Sequence, residues 1–205
     1  MDDNAAAFLE RHKLRFFPKI RVIHDDFRNV DLNPLFSGNF TIVGNLPYNV
    51  SVGILERCTK YVEGIERMVL MFQREVACRI SALPGNKDYS SLSVFADYHY
   101  DIVKLRDISG SNFWPNANVT STLLKFVPKK ERFLPACDEK TFFTMVRGAF
   151  RQKRKTLRNN LKAIKRLPEI LSEMGLSDSA RAEELSLKEF LTIYQRSNGT
   201  NTYRW

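Results

Sequence analysis

Asn45-Leu46-Pro47-Tyr48 follows the apolar run Phe40-Thr41-Ile42-Val43-Gly44, and its residue types suit one chemical task. A side-chain amide, a main-chain carbonyl beside proline and an aromatic ring, set where a buried strand ends, can hold the exocyclic amino group of a flat base. The N6 amine of adenine is a poor nucleophile because its lone pair is delocalised into the ring. Two acceptors change that. The side-chain oxygen of Asn45 and the carbonyl of Leu46 or Pro47 can take its two N–H bonds, favouring a pyramidal nitrogen whose lone pair points at an electrophilic methyl. Tyr48 would stack on the base, an interaction worth about 1–3 kcal/mol that needs the target flipped out or single-stranded. Asn and Pro are also ordinary turn residues, so the four alone read equally as a strand-end turn.

The elements that must position this group follow from the apolar pattern. Residues 20–23, 40–43 and 68–72 read as short buried strands separated by helical stretches, a rhythm that predicts a βαβ sheet. Residues 100–105 and 121–127 read as late strands. Residues 128–135 have the charge and paired prolines of a linker, dividing the chain into 1–130 and a helical part, 136–205, in which Ser186-Leu187-Lys188-Glu189 supplies a capping box.

The 205 residues carry 32 Lys+Arg against 23 Asp+Glu, a net charge of +9 that points to a polyanionic partner. Residues 151–166 hold eight bases and no acid: Arg151, Lys153, Arg154, Lys155, Arg158, Lys162, Lys165 and Arg166. At helical spacing all but Lys153 fall on one face, while Val146, Phe150, Leu157, Leu161 and Ile164 form a separate apolar stripe. Solvated helix faces normally mix signs, so this one is expected to meet phosphate. Cys58, Cys78 and Cys137 form no C-x-x-C pair, and the three histidines show no ligand spacing, which predicts neither a metal site nor a disulfide frame. No apolar stretch reaches membrane-span length and Met1-Asp2-Asp3 is too acidic for a signal peptide, so a cytoplasmic protein is expected.

Several blocks share an order and spacing with a known family. The tetrapeptide runs into Asn49-Val50-Ser51. It is followed by Gln73-Arg74-Glu75-Val76, Pro84-Gly85-Asn86-Lys87-Asp88-Tyr89-Ser90, Phe113-Trp114-Pro115, Phe150-Arg151-Gln152-Lys153-Arg154-Lys155-Thr156-Leu157 and Arg181-Ala182-Glu183-Glu184-Leu185-Ser186. Over nearly its whole length the chain resembles the ribosomal RNA adenine N6,N6-dimethyltransferases. The resemblance implies an α/β, Rossmann-like fold that binds S-adenosylmethionine, with the late strands an antiparallel edge pair and a small all-α C-terminal domain. It implies an enzyme, monomeric, that dimethylates adenines in small-subunit ribosomal RNA or its precursor particle.

By carry-over, Asn45, Leu46, Pro47 and Tyr48 hold the target, Phe113 forms the opposite wall of its pocket, and Asp26, with Asp25 as a weaker candidate, accepts from the amino group of the cofactor adenine. Asn45 would also border the cofactor. Two departures stand out. The family's F-x-P-x-P-K-V-x-S reads Phe113-Trp114-Pro115-Asn116-Ala117-Asn118-Val119-Thr120-Ser121, without the second proline and the lysine. No G-x-G occurs, so the glycine-rich cofactor loop is absent and the fold is expected to be incomplete at its N-terminus; Asp2 or Asp3 could partly stand in for the acid that binds the cofactor ribose, and either reads equally as an ordinary helix N-cap. Two rival readings follow: a non-catalytic RNA-binding or ribosome-assembly factor, or inactive fragment, and a DNA amino-methylase, whose tetrapeptides carry Pro-Pro where this chain has Leu46-Pro47.

Overall fold

The computed structural model describes residues 3–16, 22–32, 38–130, 133–134 and 136–198. After helix α1 (Asp3–Phe16) come β1 (Phe40–Asn45), α2 (Ser51–Cys58), β2 (Ile65–Gln73), α3 (Arg74–Ile80), α4 (Ser91–His99), β3 (Tyr100–Ile108) and β4 (Ser121–Pro128). Four C-terminal helices follow: α5 (Ala136–Ala149), α6 (Leu157–Asn160), α7 (Leu167–Glu173) and α8 (Leu187–Asn198).

The sheet has the order β1-β2-β4-β3. β1 and β2 are parallel, with Asn45 opposite Met71, and α2 supplies the crossover that parallel neighbours require. β4 runs antiparallel to both β2 and β3, so the late strands form the expected antiparallel edge pair. As a result the carboxyl ends of β1, β2 and β3 and the start of β4 lie together along one end of the sheet. Strand periodicity assigns the faces of β1: Ile42 and Gly44 turn inward, while Thr41, Val43 and Asn45 are exposed.

The expected strand at residues 20–23 is not seen as one: Ile20 and Arg21 lie outside the described residues, and Val22 and Ile23 pair with no strand. The segment 22–32 is tied to α2 and the turn that follows it by side chains instead of a ladder. Arg57 donates to the Val30 carbonyl at 2.6 Å, the Tyr61 hydroxyl accepts from the Leu32 amide at 3.4 Å, and Phe27 packs on the sheet core.

Two apolar cores result. Leu55, Met68, Leu70, Phe72, Leu124 and Phe126 centre the sheet core, and Phe142, Val146, Leu157, Leu171, Phe190 and Ile193 centre the helical one. Each fully buried side chain of this kind is worth about 1.5–3 kcal/mol. Helix α4 belongs to both, giving Leu92 and Ala96 to the sheet core and Val94 and Tyr98 to the helical core. The capping box forms as the sequence predicts: the Ser186 amide and hydroxyl each donate to Glu189 Oε2 at 2.7 Å, and the Glu189 amide returns a bond to Ser186 Oγ at 3.3 Å.

The single helical face predicted across 151–166 is a correction. α5 stops at Ala149, turns occupy 150–155, and a fresh short helix starts at Leu157. The break has local causes. Thr156 Oγ1 accepts from the Asn159 amide at 3.4 Å as an N-cap, and Asn160 Nδ2 donates to the carbonyls of Ala149 at 2.7 Å and Gln152 at 3.1 Å. The Leu157 amide donates to Ala180 instead of to its own preceding turn. Sidedness survives, because Leu157, Leu161 and Ile164 are buried while all eight bases are exposed.

Candidate active site

Strand alternation sets the tetrapeptide. Asn45 is exposed at the carboxyl end of β1, Leu46 turns inward and is buried, Pro47 is exposed and Tyr48 is half-buried. Gly44 lets Leu46 tuck in, since a Cβ there would stand 2.8 Å from Leu46 Cδ2 and 3.0 Å from Leu70 Cδ2. The turn is closed by the Val50 amide donating to the Pro47 carbonyl at 3.2 Å and by Ser51 Oγ donating to the Tyr48 carbonyl at 3.1 Å. The Tyr48 hydroxyl meets Ser121 Oγ at 2.9 Å. One hydrogen bond therefore ties the end of β1 to the start of β4, 73 residues away in sequence.

Phe113 lies in the loop that joins β3 to β4, at the same end of the sheet, and is half-buried. Gly110 organises that loop: its carbonyl accepts from the amides of Phe113 at 3.2 Å and Ala117 at 3.0 Å. A Cβ on Gly110 would stand 1.8 Å from the Ala117 carbonyl oxygen, so the closure admits no side chain there. The Arg74 amide donates to the Thr120 carbonyl at 3.0 Å, bringing the end of β2 against the same loop.

Asp26 sits on the segment docked to α2. Arg28 grips it, with Nη2 2.6 Å from Oδ2, Nε 3.0 Å from Oδ1, and its backbone amide 2.9 Å from Oδ1. These bonds hold the Asp26 carboxyl down at about 2, ionised at any physiological pH. Arg28 Cδ approaches within 3.9 Å of where a Cβ on Gly53 would stand, which places the pair beside the first turn of α2, just after the tetrapeptide. Asp25 turns its carboxylate onto the Asp26 amide at 2.6 Å. Asp2 lies outside the described residues, as does the side chain of Asp3.

Of the eight bases, Lys153 approaches Glu183 and Arg158 approaches Asp178, each at 3.8 Å. Among the described residues the other six make no ion pair, so the surface stays strongly positive. Cys58 is buried and its thiol is pushed up to about 12 by burial, as suits packing and not nucleophilic chemistry. Among the described residues no three His, Cys, Asp or Glu side chains cluster as metal ligands, and no helix is long and apolar enough to cross a membrane. Arg74 and Ser121 lie in blocks that carry the resemblance but were given no role there, and Gly110 was not singled out at all. The signs for Ser121 were its place as the last residue of the Phe113–Ser121 motif and a polar residue opening an otherwise apolar run.

The fold and the collection of groups at the carboxyl ends of its strands define an α/β methyltransferase. A dimethyladenosine transferase from Plasmodium falciparum superimposes with a TM-score of 0.82 at 22% identity, over 97% of this chain and 80% of that one. The 23S rRNA methyltransferase ErmE does so with a TM-score of 0.72, also at 22% identity, over 95% and 78%. The family model for ribosomal RNA adenine dimethylase matches residues 1–198, and the chain belongs to that family. Ribosomal RNA small subunit methyltransferase A of Cytophaga hutchinsonii is 40% identical over 187 residues, covering 90% of this chain and 71% of the relative. The protein of the same name from Geobacter metallireducens is 35% identical over 193 residues, covering 89% and 70%.

Proposed function

We propose that this chain carries out S-adenosylmethionine-dependent N6,N6-dimethylation of adenines in small-subunit ribosomal RNA, acting as a cytoplasmic monomer on the subunit or its precursor. The observation that carries the reading is the tetrapeptide at the carboxyl end of β1, with Asn45 exposed, Tyr48 pinned to Ser121 and the Phe113 loop at the same end. Names of the 40% and 35% identical relatives point to the same substrate.

The chemistry of the donor set fits parts of the cofactor. Asp26 is an ionised carboxylate with about a third of its side chain still exposed, suited to accept from the amino group of the cofactor adenine. Asn45 offers an exposed amide at the strand end. When bound, S-adenosylmethionine supplies an electrophilic methyl.

This chain's own residues prepare the acceptor. Asn45 Oδ1 and the Leu46 or Pro47 carbonyl take the two N–H bonds of adenine N6, localising its lone pair. The Pro47 carbonyl already receives the Val50 amide, which leaves Leu46 the less encumbered partner. Tyr48 and Phe113 clamp the flipped base, and much of the rate comes from that positioning. Arg151, Lys153, Arg154, Lys155, Arg158, Lys162, Lys165 and Arg166 hold the RNA through its phosphates.

Two measurements test this together. Calorimetric titration with S-adenosylmethionine is expected to show binding, and labelled methyl is expected to enter unmodified small-subunit ribosomal RNA but not duplex DNA. Tight RNA binding with no incorporation would replace the enzyme by an RNA-binding assembly factor.

A further inference from the structure

We propose that Trp114 is a positioning residue for the RNA substrate, a platform on which a nucleobase neighbouring the target adenine stacks. The inference rests on the RNA reading above and adds a residue outside the tetrapeptide and its Phe113 wall.

Trp114 is 96% exposed, the most exposed large apolar side chain among the described residues. Its exposure is not that of an open loop. The Gly110 carbonyl gathers the amides of Phe113 and Ala117, Ser109 Oγ accepts from Ser111 Oγ at 2.9 Å, and Asn112 Nδ2 donates to the Ser109 carbonyl at 3.2 Å. Phe113 is half-buried, and Trp114 beside it is carried on a backbone that these bonds fix, so binding would order one side chain and not the loop.

The surroundings select the occupant. A protein-docking surface presents a contiguous apolar patch, whereas Trp114 stands among Ser111, Asn112, Asn116 and Asn118, all exposed and polar. Arg74, exposed, has its backbone bonded to Thr120 at the foot of the same loop, and Ser121 beside it touches Tyr48. An isolated indole on the loop that carries Phe113, beside the residues proposed to take one base, suits the π-face of a neighbouring base. Stacking of this kind is sequence-tolerant, so Trp114 would steady the strand without reading it.

The chain has two tryptophans, so Trp205→Phe leaves Trp114 as the sole indole reporter. Adding unmodified small-subunit ribosomal RNA transcript to that variant is expected to quench Trp114 emission and shield it from acrylamide. Trp114→Ala and Trp114→Leu should raise KM for RNA by about 5- to 150-fold with kcat little changed, while Trp114→Phe restores most of the loss. Several results would overturn the platform while leaving RNA recognition standing. These are RNA that binds with Trp114 unquenched and accessible, a Leu variant as good as the parent, or an Ala variant with unaltered KM. RNA that does not bind at all overturns both.

Discussion

At the carboxyl end of the sheet, the groups proposed to do chemistry are few and each is fixed by one or two bonds: Tyr48 by Ser121, the Phe113 loop by Gly110, Asp26 by Arg28. The C-terminal helices are built the other way, with a dense aromatic and aliphatic core beneath a surface of eight exposed bases whose positions need no such fixing. Acceptance of an N–H bond depends on angles and tenths of an ångström, whereas attraction to phosphate falls off slowly with distance. On the proposed reading, function is therefore concentrated in single residues in one region and spread over many in the other.

The largest expected effect tests the concentrated side. Asn45→Ala should lower methyl transfer by about 10²–10³-fold, the usual cost of losing one preorganised polar group, while RNA affinity by filter binding stays within twofold. Equal loss of both would erase the distinction between the regions. Leu157→Ala, beneath the basic surface, should cost about 2–5 kcal/mol in a denaturant melt, since Leu157 is fully buried.

Changing Arg151, Lys155, Lys162 and Lys165 together to Gln should flatten the log–log dependence of RNA affinity on salt by up to about 3.6, at roughly 0.7–0.9 per phosphate contact. Each single change should remove only its share. A single base that removed most of the slope would mean this region, too, concentrates its function. Tyr48→Phe deletes only the bond to Ser121 and is expected to weaken productive binding by about 0.5–1.5 kcal/mol, read as a rise in KM. The smallest effect at neutral pH concerns Asp26. Its carboxyl is held below its ordinary value of 3.8, so the Arg28 pairing contributes stability that is whole above pH 3.8 and lost as pH falls through about 2. Following the Asp26 carboxyl carbon by NMR titration checks this, and an ordinary midpoint would remove the pairing.

The sequence made the two regions legible to different depths. Residues 40–43, 68–72, 100–105 and 121–127 were readable as strands because each is a short apolar run ended by turn residues, and each found a neighbour. Residues 20–23 carry the same signal, but what Val22 and Ile23 do depends on which backbone edge is within reach, and Arg57 and Tyr61 anchor the segment that follows them. The 151–166 helix failed for a different reason. Apolar periodicity reports which side chains face the core, and a turn, a short helix and another turn can satisfy the same spacing once Thr156 and Asn160 bond the backbone. Asn45 and Tyr48 stand out by residue type, and the structure sets them at and just after the carboxyl end of β1, where the apolar pattern placed them. Ser121 closes the motif that begins at Phe113, but its bond to Tyr48 was not legible, because nothing local marks a contact made across 73 residues.

Helix α4 sends Leu92 and Ala96 one way and Val94 and Tyr98 the other, so neither core can slide or swivel without disturbing the other. If the proposed sites are right, this would make the molecule a caliper. On the proposed function, with one jaw at Asn45 and the other at the bases of 151–166, a folded RNA gripped by its phosphates would be accepted or rejected by how far its exposed adenines lie from that grip. Discrimination among adenines of identical chemistry would then be a matter of length, calibrated by the packing of one nine-residue helix.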